Sequence, residues 1–302
     1  MLTTIKWAAM IVWLVGGLVW VASGPTAAAP TAGTTPGLGG PAVAHPTSVK
    51  HVKIGKADCK DCHGDLVKQK NVHPPAADGC TTCHEYNETG EGAEIKQAIE
   101  GNDLCFTCHT EKQEDLKNKK FTHPPAEADC TTCHNPHSSD VSDMLKAPAI
   151  DLCFACHTDK QEEFNTKKFT HAPLKDLGCP TCHNPHASDV APILKAEKNT
   201  ICTSCHKLNA KLQRKAEGTF VAFGDTVVTA EYLSRAKKIL LSPDGKGHPY
   251  VGHPVSGVAD PSAKEKHLAC TSCHNPHFGN YVQRFQKDLR GQALCDTCHK
   301  QQ

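Results

Sequence analysis

The amino-acid sequence predicts a mostly irregular fold: short α-helices, few or no strands, and a repeated unit wrapped around something other than its own side chains. Three observations predict it. Hydrophobic residues make up 38% and aromatics 5% of 302 residues, below the usual share. All 18 cysteines fall in one five-residue pattern, Cys-x-x-Cys-His, which occurs nine times. Longer segments recur with a period near 48: Thr110 to Pro125 returns as Thr158 to Pro173, each carrying Lys-Lys-Phe-Thr-His.

The pattern itself names the missing apolar mass. Two thiols spaced by two residues add across the vinyl groups of a porphyrin, and the histidine that follows supplies an imidazole to its iron. Zinc also uses Cys-x-x-Cys, but does not require a histidine directly after it, and here it is present nine times in nine. A disulfide scaffold would vary its spacings. Nine c-type haems are therefore expected. Their thioethers fall on Cys59 and Cys62, Cys80 and Cys83, Cys105 and Cys108, Cys130 and Cys133, Cys153 and Cys156, Cys179 and Cys182, Cys202 and Cys205, Cys270 and Cys273, and Cys295 and Cys298. The proximal ligands are His63, His84, His109, His134, His157, His183, His206, His274 and His299.

In chain order, Lys6 precedes an apolar run from Trp7 to Ala22 and a small-residue stretch to Ala29, so residues 1–29 read as a secretory signal or a retained N-terminal anchor. All three tryptophans (Trp7, Trp13, Trp20) lie in it. Residues 30–50, rich in Pro, Gly and Ala, read as a disordered tether. Residues 51–206 hold haems one to seven, 207–269 are an insert, and 270–302 hold haems eight and nine. Without the leader, 32 basic and 32 acidic residues remain. The haem propionates then tilt the holoprotein acidic, and no basic patch with interleaved aromatics suggests nucleic acid.

The repeating unit is a His-Pro (or His-Ala-Pro) start, a first motif, often Asn-Pro-His after it, then Leu-Cys-x-x-Cys-His and a Glu/Lys-rich helical turn. Units begin near His73, His123, His171 and His253, with the Cys59 motif as a half-unit in front. In the insert, a strand-like stretch from Thr219 to Val228 leads into an amphipathic helix from Ala230 to Leu241, ended by the turn Pro243 to Gly247. It is expected to pack as a flap over haem edges.

The pattern from residue 51 to 300 resembles the doubled Cys-x-x-Cys-His family of periplasmic multihaem cytochromes c. Relatives include the pentahaem partner of nitrite reductase and the decahaem cytochromes of porin conduits. The Asn-Pro-His extensions ending at His137, His186 and His277 are its most specific element. Two departures stand out: the Cys80 motif continues Glu85-Tyr86-Asn87, and the 63-residue insert Lys207 to Ala269 separates motifs seven and eight. The resemblance implies electron transfer through short helices wrapped around haems.

Nine of 20 histidines lie in motifs. Eleven remain, and the distal candidates among them are His45, His51, His73, His123, His137, His171, His186, His248, His253 and His277. Beyond the leader the only methionine, the other common axial ligand, is Met144. Two of the eleven are surplus, expected among His248, His253 and His267. Three residues of chain reach at most about 10 Å, too little to round a porphyrin, so His137, His186 and His277 must serve neighbouring irons. For His137 the expected iron is that of His157, which leaves His123 for the iron of His134. Haem three, without an upstream Asn-Pro-His, is expected to borrow His45.

The function that follows is electron transfer along closely spaced bis-histidine haems outside the cytoplasm, without substrate chemistry. Redox proteins would be donors and acceptors, among them a quinol-oxidising membrane complex or an outer-membrane porin. A multihaem reductase would need an open iron, and an extracellular filament subunit would need haems exposed at both ends.

Overall fold

The computed structural model describes residues 58–89, 92–241, 253–262 and 266–299. The leader, the tether, His45, His51, His248 and the turn Pro243 to Gly247 lie outside them. Among the described residues no helix is long and apolar enough to cross a membrane.

The units that begin at His73, His123 and His171 open the same way. A two-residue strand (Asn71–Val72, Phe121–Thr122 or Phe169–Thr170) runs into an extended histidine, and the next residue starts a helix of one to two turns: Pro74–Asp78, Pro124–Ala128 or Ala172–Leu177. Proline in the first turn has its φ already set for a helix and lacks an N–H that would find no partner there. The first motif then closes as a 3-10 turn, Cys80–Thr82, Cys130–Thr132 or Cys179–Thr181. The second motif lies on a helix, Asn102–Phe106, Ala149–Phe154 or Lys198–His206. The predicted Glu/Lys-rich helices follow at Thr110–Asn118 and Thr158–Thr166.

Successive units are stitched by antiparallel strand pairs. Asn71–Val72 pairs with Ser138–Ser139, Phe121–Thr122 with Ala187–Ser188, and Phe169–Thr170 with Phe278–Gly279. Each pair joins one unit to the segment after Asn-Pro-His in the next. Just outside it a side chain accepts a backbone N–H: Lys70 N donates to Asp140 Oδ1, Lys120 N to Asp189 Oδ1 and Lys168 N to Asn280 Oδ1. The Cys80 motif, without Asn-Pro-His, carries instead the hairpin His84–Thr89 and Gly92–Gln97, where Tyr86 faces Ile95 and Glu85 faces Lys96. The hairpin occupies the place of the other units' turns, since Ala98 N bonds the Cys83 carbonyl as Lys146 N bonds that of Cys133.

The insert folds as a three-stranded antiparallel meander, Gln213–Ala216, Thr219–Phe223 and Thr226–Thr229, and a short helix, Ala230–Arg235. Two-residue links put Gly218 and Gly224 at positive φ, the conformation tight hairpins need. The single expected strand is thus a hairpin. The helix stops at Arg235 rather than Leu241, because Ala236 turns extended and Ile239 bridges to Lys207.

Among the described residues the buried hydrophobics are few: Phe154, Leu174, Ala187, Ala222, Phe223, Val228, Leu268 and Phe278. One cluster forms, Ala222, Phe223 and Val228 against Cys182, Ala196, Ile201, Tyr232 and Leu233. Eight such residues cannot hold a chain of this length together by area burial alone. The fold needs its prosthetic groups as core.

Candidate haem centres

Imidazoles are brought together in pairs, and every pair joins one motif histidine to one histidine outside the motifs. His73 lies 6.3 Å, centroid to centroid, from His109, and His84 6.1 Å from His137. His123 lies 6.2 Å from His157 and His134 6.1 Å from His186. His171 lies 6.0 Å from His206 and His183 5.9 Å from His277. In all six the ring planes are within 14–19° of parallel. His253 and His299 are 6.3 Å apart but nearly perpendicular, at 83°. A metal bound by imidazole nitrogens about 2.0 Å away on each side separates the centroids by about 6 Å, once roughly one ångström of ring radius is added per side. The donor sets fit a six-coordinate haem iron.

The other ring nitrogen fixes which atom is available. Nδ1 of His134 donates to the Asp143 carbonyl (2.8 Å), that of His183 to Pro192 (3.0 Å) and that of His274 to Gln283 (3.0 Å). His206 donates to Lys237 (2.8 Å). His73 and His123 donate to Pro136 and Pro185, both at 2.9 Å, and His171 to Pro276. A carbonyl only accepts, so the proton sits on Nδ1 and Nε2 is left as the ligand.

This gives each residue of Asn-Pro-His a task. The asparagine side chain accepts the N–H of the histidine two residues on: Asn135 from His137 (3.0 Å), Asn184 from His186 (3.0 Å) and Asn275 from His277 (2.9 Å), an Asx turn. The proline carbonyl orients the His-Pro imidazole of the preceding unit, and the histidine supplies the ring. Burial pushes the imidazole pKa of His137, His183 and His186 down, that of His171 to about 3 and that of His277 to about 4. Each stays neutral, the form that ligates.

The thiols place successive motifs side by side. Before thioether formation, hydrogen bonds link Cys59 with Cys80, Cys105 with Cys130, Cys153 with Cys179, and Cys202 with Cys270. Sharing one thiol proton pulls Cys105, Cys179 and Cys270 down to about 7 and pushes their partners up. Burial pushes Cys182 up to about 11.

The pairing differs from the expected one in three places. His137 faces His84 of the preceding unit, not His157. His123 faces His157, not His134, whose partner is His186. His73, not His45, faces His109. None of His137, His186 and His277 is paired with the imidazole of the motif it follows, and the strand pairs between units decide the direction. His253 is in a pair, and His267 is exposed on a bridge to Ala259. Sequence reasoning missed the carbonyl acceptors and the half-buried Arg284. It also missed the Asp140, Asp189 and Asn280 brackets, although their recurrence three residues after each Asn-Pro-His was a readable signal.

The insert reaches two motifs at once. Thr226 Oγ1 donates to the Thr181 carbonyl inside the Cys179 motif (2.7 Å), and Lys238 Nζ to that of Cys205 (2.7 Å). Ile239 N bonds the His206 carbonyl (2.6 Å) and Leu208 N that of Ile239 (2.8 Å).

The family model described as the doubled CXXCH motif matches residues 73–114, 123–162, 171–211 and 261–302. Three of the four matches begin on a His-Pro or His-Ala-Pro histidine. None of the curated proteins compared with the chain matches it. The four matches cover more than half of the chain and carry eight of its motifs, so the chain belongs to the doubled CXXCH motif family and is a multihaem c-type cytochrome that transfers electrons.

Proposed function

We propose that the chain carries nine haems, each with two histidine ligands, and passes electrons along them between redox partners outside the cytoplasm without substrate chemistry. The observation that carries this reading is the complementary pairing of seven motif histidines with seven others. The rule is simple. A unit's opening histidine serves the second iron of its own unit, and the Asn-Pro-His histidine serves the first iron of the unit before. The irons of His63 and His274 then draw on the remaining candidates His45, His51 and His248.

Haem supplies one-electron chemistry at iron. The chain's residues do the rest. Two imidazoles would hold each iron, which would leave no site for a substrate ligand and favour low potentials over those of methionine ligation. Backbone carbonyls at Nδ1 raise the basicity of the ligating nitrogens. Cysteines of consecutive motifs lie close together, which supports transfer from each haem to the next. The apolar leader supports export, where c-type haem is attached. Donors and acceptors are proposed to be redox proteins, including a quinol-oxidising membrane complex or an outer-membrane porin. Mass spectrometry of the mature protein with electron paramagnetic resonance tests the proposal. Nine thioether haems, all low-spin, are expected; eight or fewer, or one full high-spin equivalent, would overturn it.

A further inference from the structure

Three turns in the structure are equivalent, because in each the asparagine after the motif donates its N–H to a carbonyl nine residues on. Asn135 bonds Met144 (2.7 Å), Asn184 bonds Ile193 (2.8 Å) and Asn275 bonds Arg284 (2.8 Å). Met144, Ile193 and Arg284 all have positive φ, 57°, 48° and 55°. Two of the three are apolar and the third is a cation.

Arg284 is half-buried, and its Nε donates to the Asn275 carbonyl at 3.2 Å. Among the described residues no carboxylate pairs with it. A desolvated guanidinium with only a carbonyl for company is costly. A Cβ on Gly279 would meet the Arg284 Cα at 3.0 Å; the sibling turns carry Ser139 and Ser188 there. Gly279 pairs with Phe169, two residues before His171.

We propose that Arg284 is the counter-cation of the seventh haem, pairing with a propionate carboxylate of the group held by Cys202, Cys205 and His206 and raising that iron's potential. Geometry brings the cation to this centre: Arg284 holds the Asn275 carbonyl, while the His171 imidazole holds the next carbonyl, that of Pro276, and its backbone N–H that of His277. The sign follows from charge. Reduction adds an electron beside a buried cation, so the ferrous state is stabilised. The proposal rests on His171 and His206 sharing one iron, the reading given above.

The test is a potentiometric titration of the full holoprotein, followed optically, for Arg284→Met and Arg284→Lys. Methionine is native in the sibling turn at 144, so the substitution suits the backbone. Haem count by mass and low-spin content should match the unmodified protein in both variants. In Arg284→Met one ninth of the absorbance change should move to lower potential by about a tenfold change in the ferric-to-ferrous ratio, about 59 mV for one electron. Arg284→Lys should restore most of the shift. Titrations that superimpose, or a lysine variant shifted as far as the methionine one, would overturn the proposal. A haem count other than nine in the unmodified protein would overturn the stoichiometry above and leave the single-haem shift to be read on its own.

Discussion

The backbone N–H of His73 donates to the carbonyl of His137 at 2.9 Å, and His123 to His186 and His171 to His277 do the same at the same distance. The two histidines joined by each bond face different motif imidazoles: His109 and His84 at the first junction, His157 and His134 at the second, His206 and His183 at the third. One peptide hydrogen bond thus ties the ligands proposed for two irons. The strand pairs between units are short because this is all they need to hold.

The first prediction follows from that direction of pairing. His137→Ala should open the iron held by His84 and leave those of His134 and His157 low-spin. One haem equivalent in nine should turn high-spin and bind carbon monoxide. The discriminating background replaces Cys80 and Cys83 by serine, so that the second motif takes no haem. There His137→Ala should open nothing further, and a new carbon monoxide-binding haem in that background would contradict the pairing.

Much of this was readable in the sequence, and the remainder has a common cause. The haem motifs, the two-haem unit and the helices Thr110–Asn118 and Thr158–Thr166 depend on local spacing. So does the exclusion of His137 from its own motif's iron. What local spacing could not fix is which neighbour it reaches. That is set by Val72 pairing with Ser138, a contact across more than two motif spacings with two residues per strand and no alternation to detect. The insert helix was read too long for a similar reason. Leu233, Ala236, Ile239 and Leu240 keep helical spacing, but the bond from Ile239 to His206 pulls the chain out of the helix after Arg235. Arg284 gave no signal at all, because only superposing the three turns sets it against Met144 and Ile193.

A second prediction concerns acid. The Lys119 ammonium, 2.9 Å from Asp189, holds that carboxyl below its usual range, helped by the Lys120 backbone N–H. Lys195 does the same for Asp225. A carboxyl whose pKa is lower folded than unfolded contributes stability that is complete above the unfolded value, about 3.9, and is lost as pH falls through the folded one. Both carboxylates are exposed, so the effect is small. Relative to Asp189→Asn, the unmodified protein should hold a constant stability advantage from pH 8 to about 4.5 and lose it below about 4. Denaturant midpoints measured in parallel check this; an advantage that grew on acidification would reverse the sign and rule out the pairing.

The third prediction tests the insert as a clasp between motifs six and seven. Phe223 is 7% exposed, in the cluster that touches Cys182 and Ile201. The same fold carries Thr226 to the Thr181 carbonyl and Lys237 to Nδ1 of His206. Truncating a buried phenylalanine costs about 3–5 kcal/mol, and in so small a cluster the lower figure applies. Phe223→Ala should therefore leave the haem count unchanged, since no ligand or thioether is touched. Hydrogen exchange across 213–239 should accelerate by about two orders of magnitude, the equivalent of roughly 3 kcal/mol of local stability. Loosening the strap removes the carbonyl that makes the His206 imidazole more basic, so the seventh iron's potential should rise by on the order of 30 mV, a threefold change in its ferric-to-ferrous ratio. The direction is opposite to that expected for Arg284→Met, which separates loss of a hydrogen-bond acceptor from loss of a cation at the same centre. Exchange that accelerated with no movement of any potential would make the insert a cover and nothing more; a potential that fell would show that Lys237 does not set the basicity of His206.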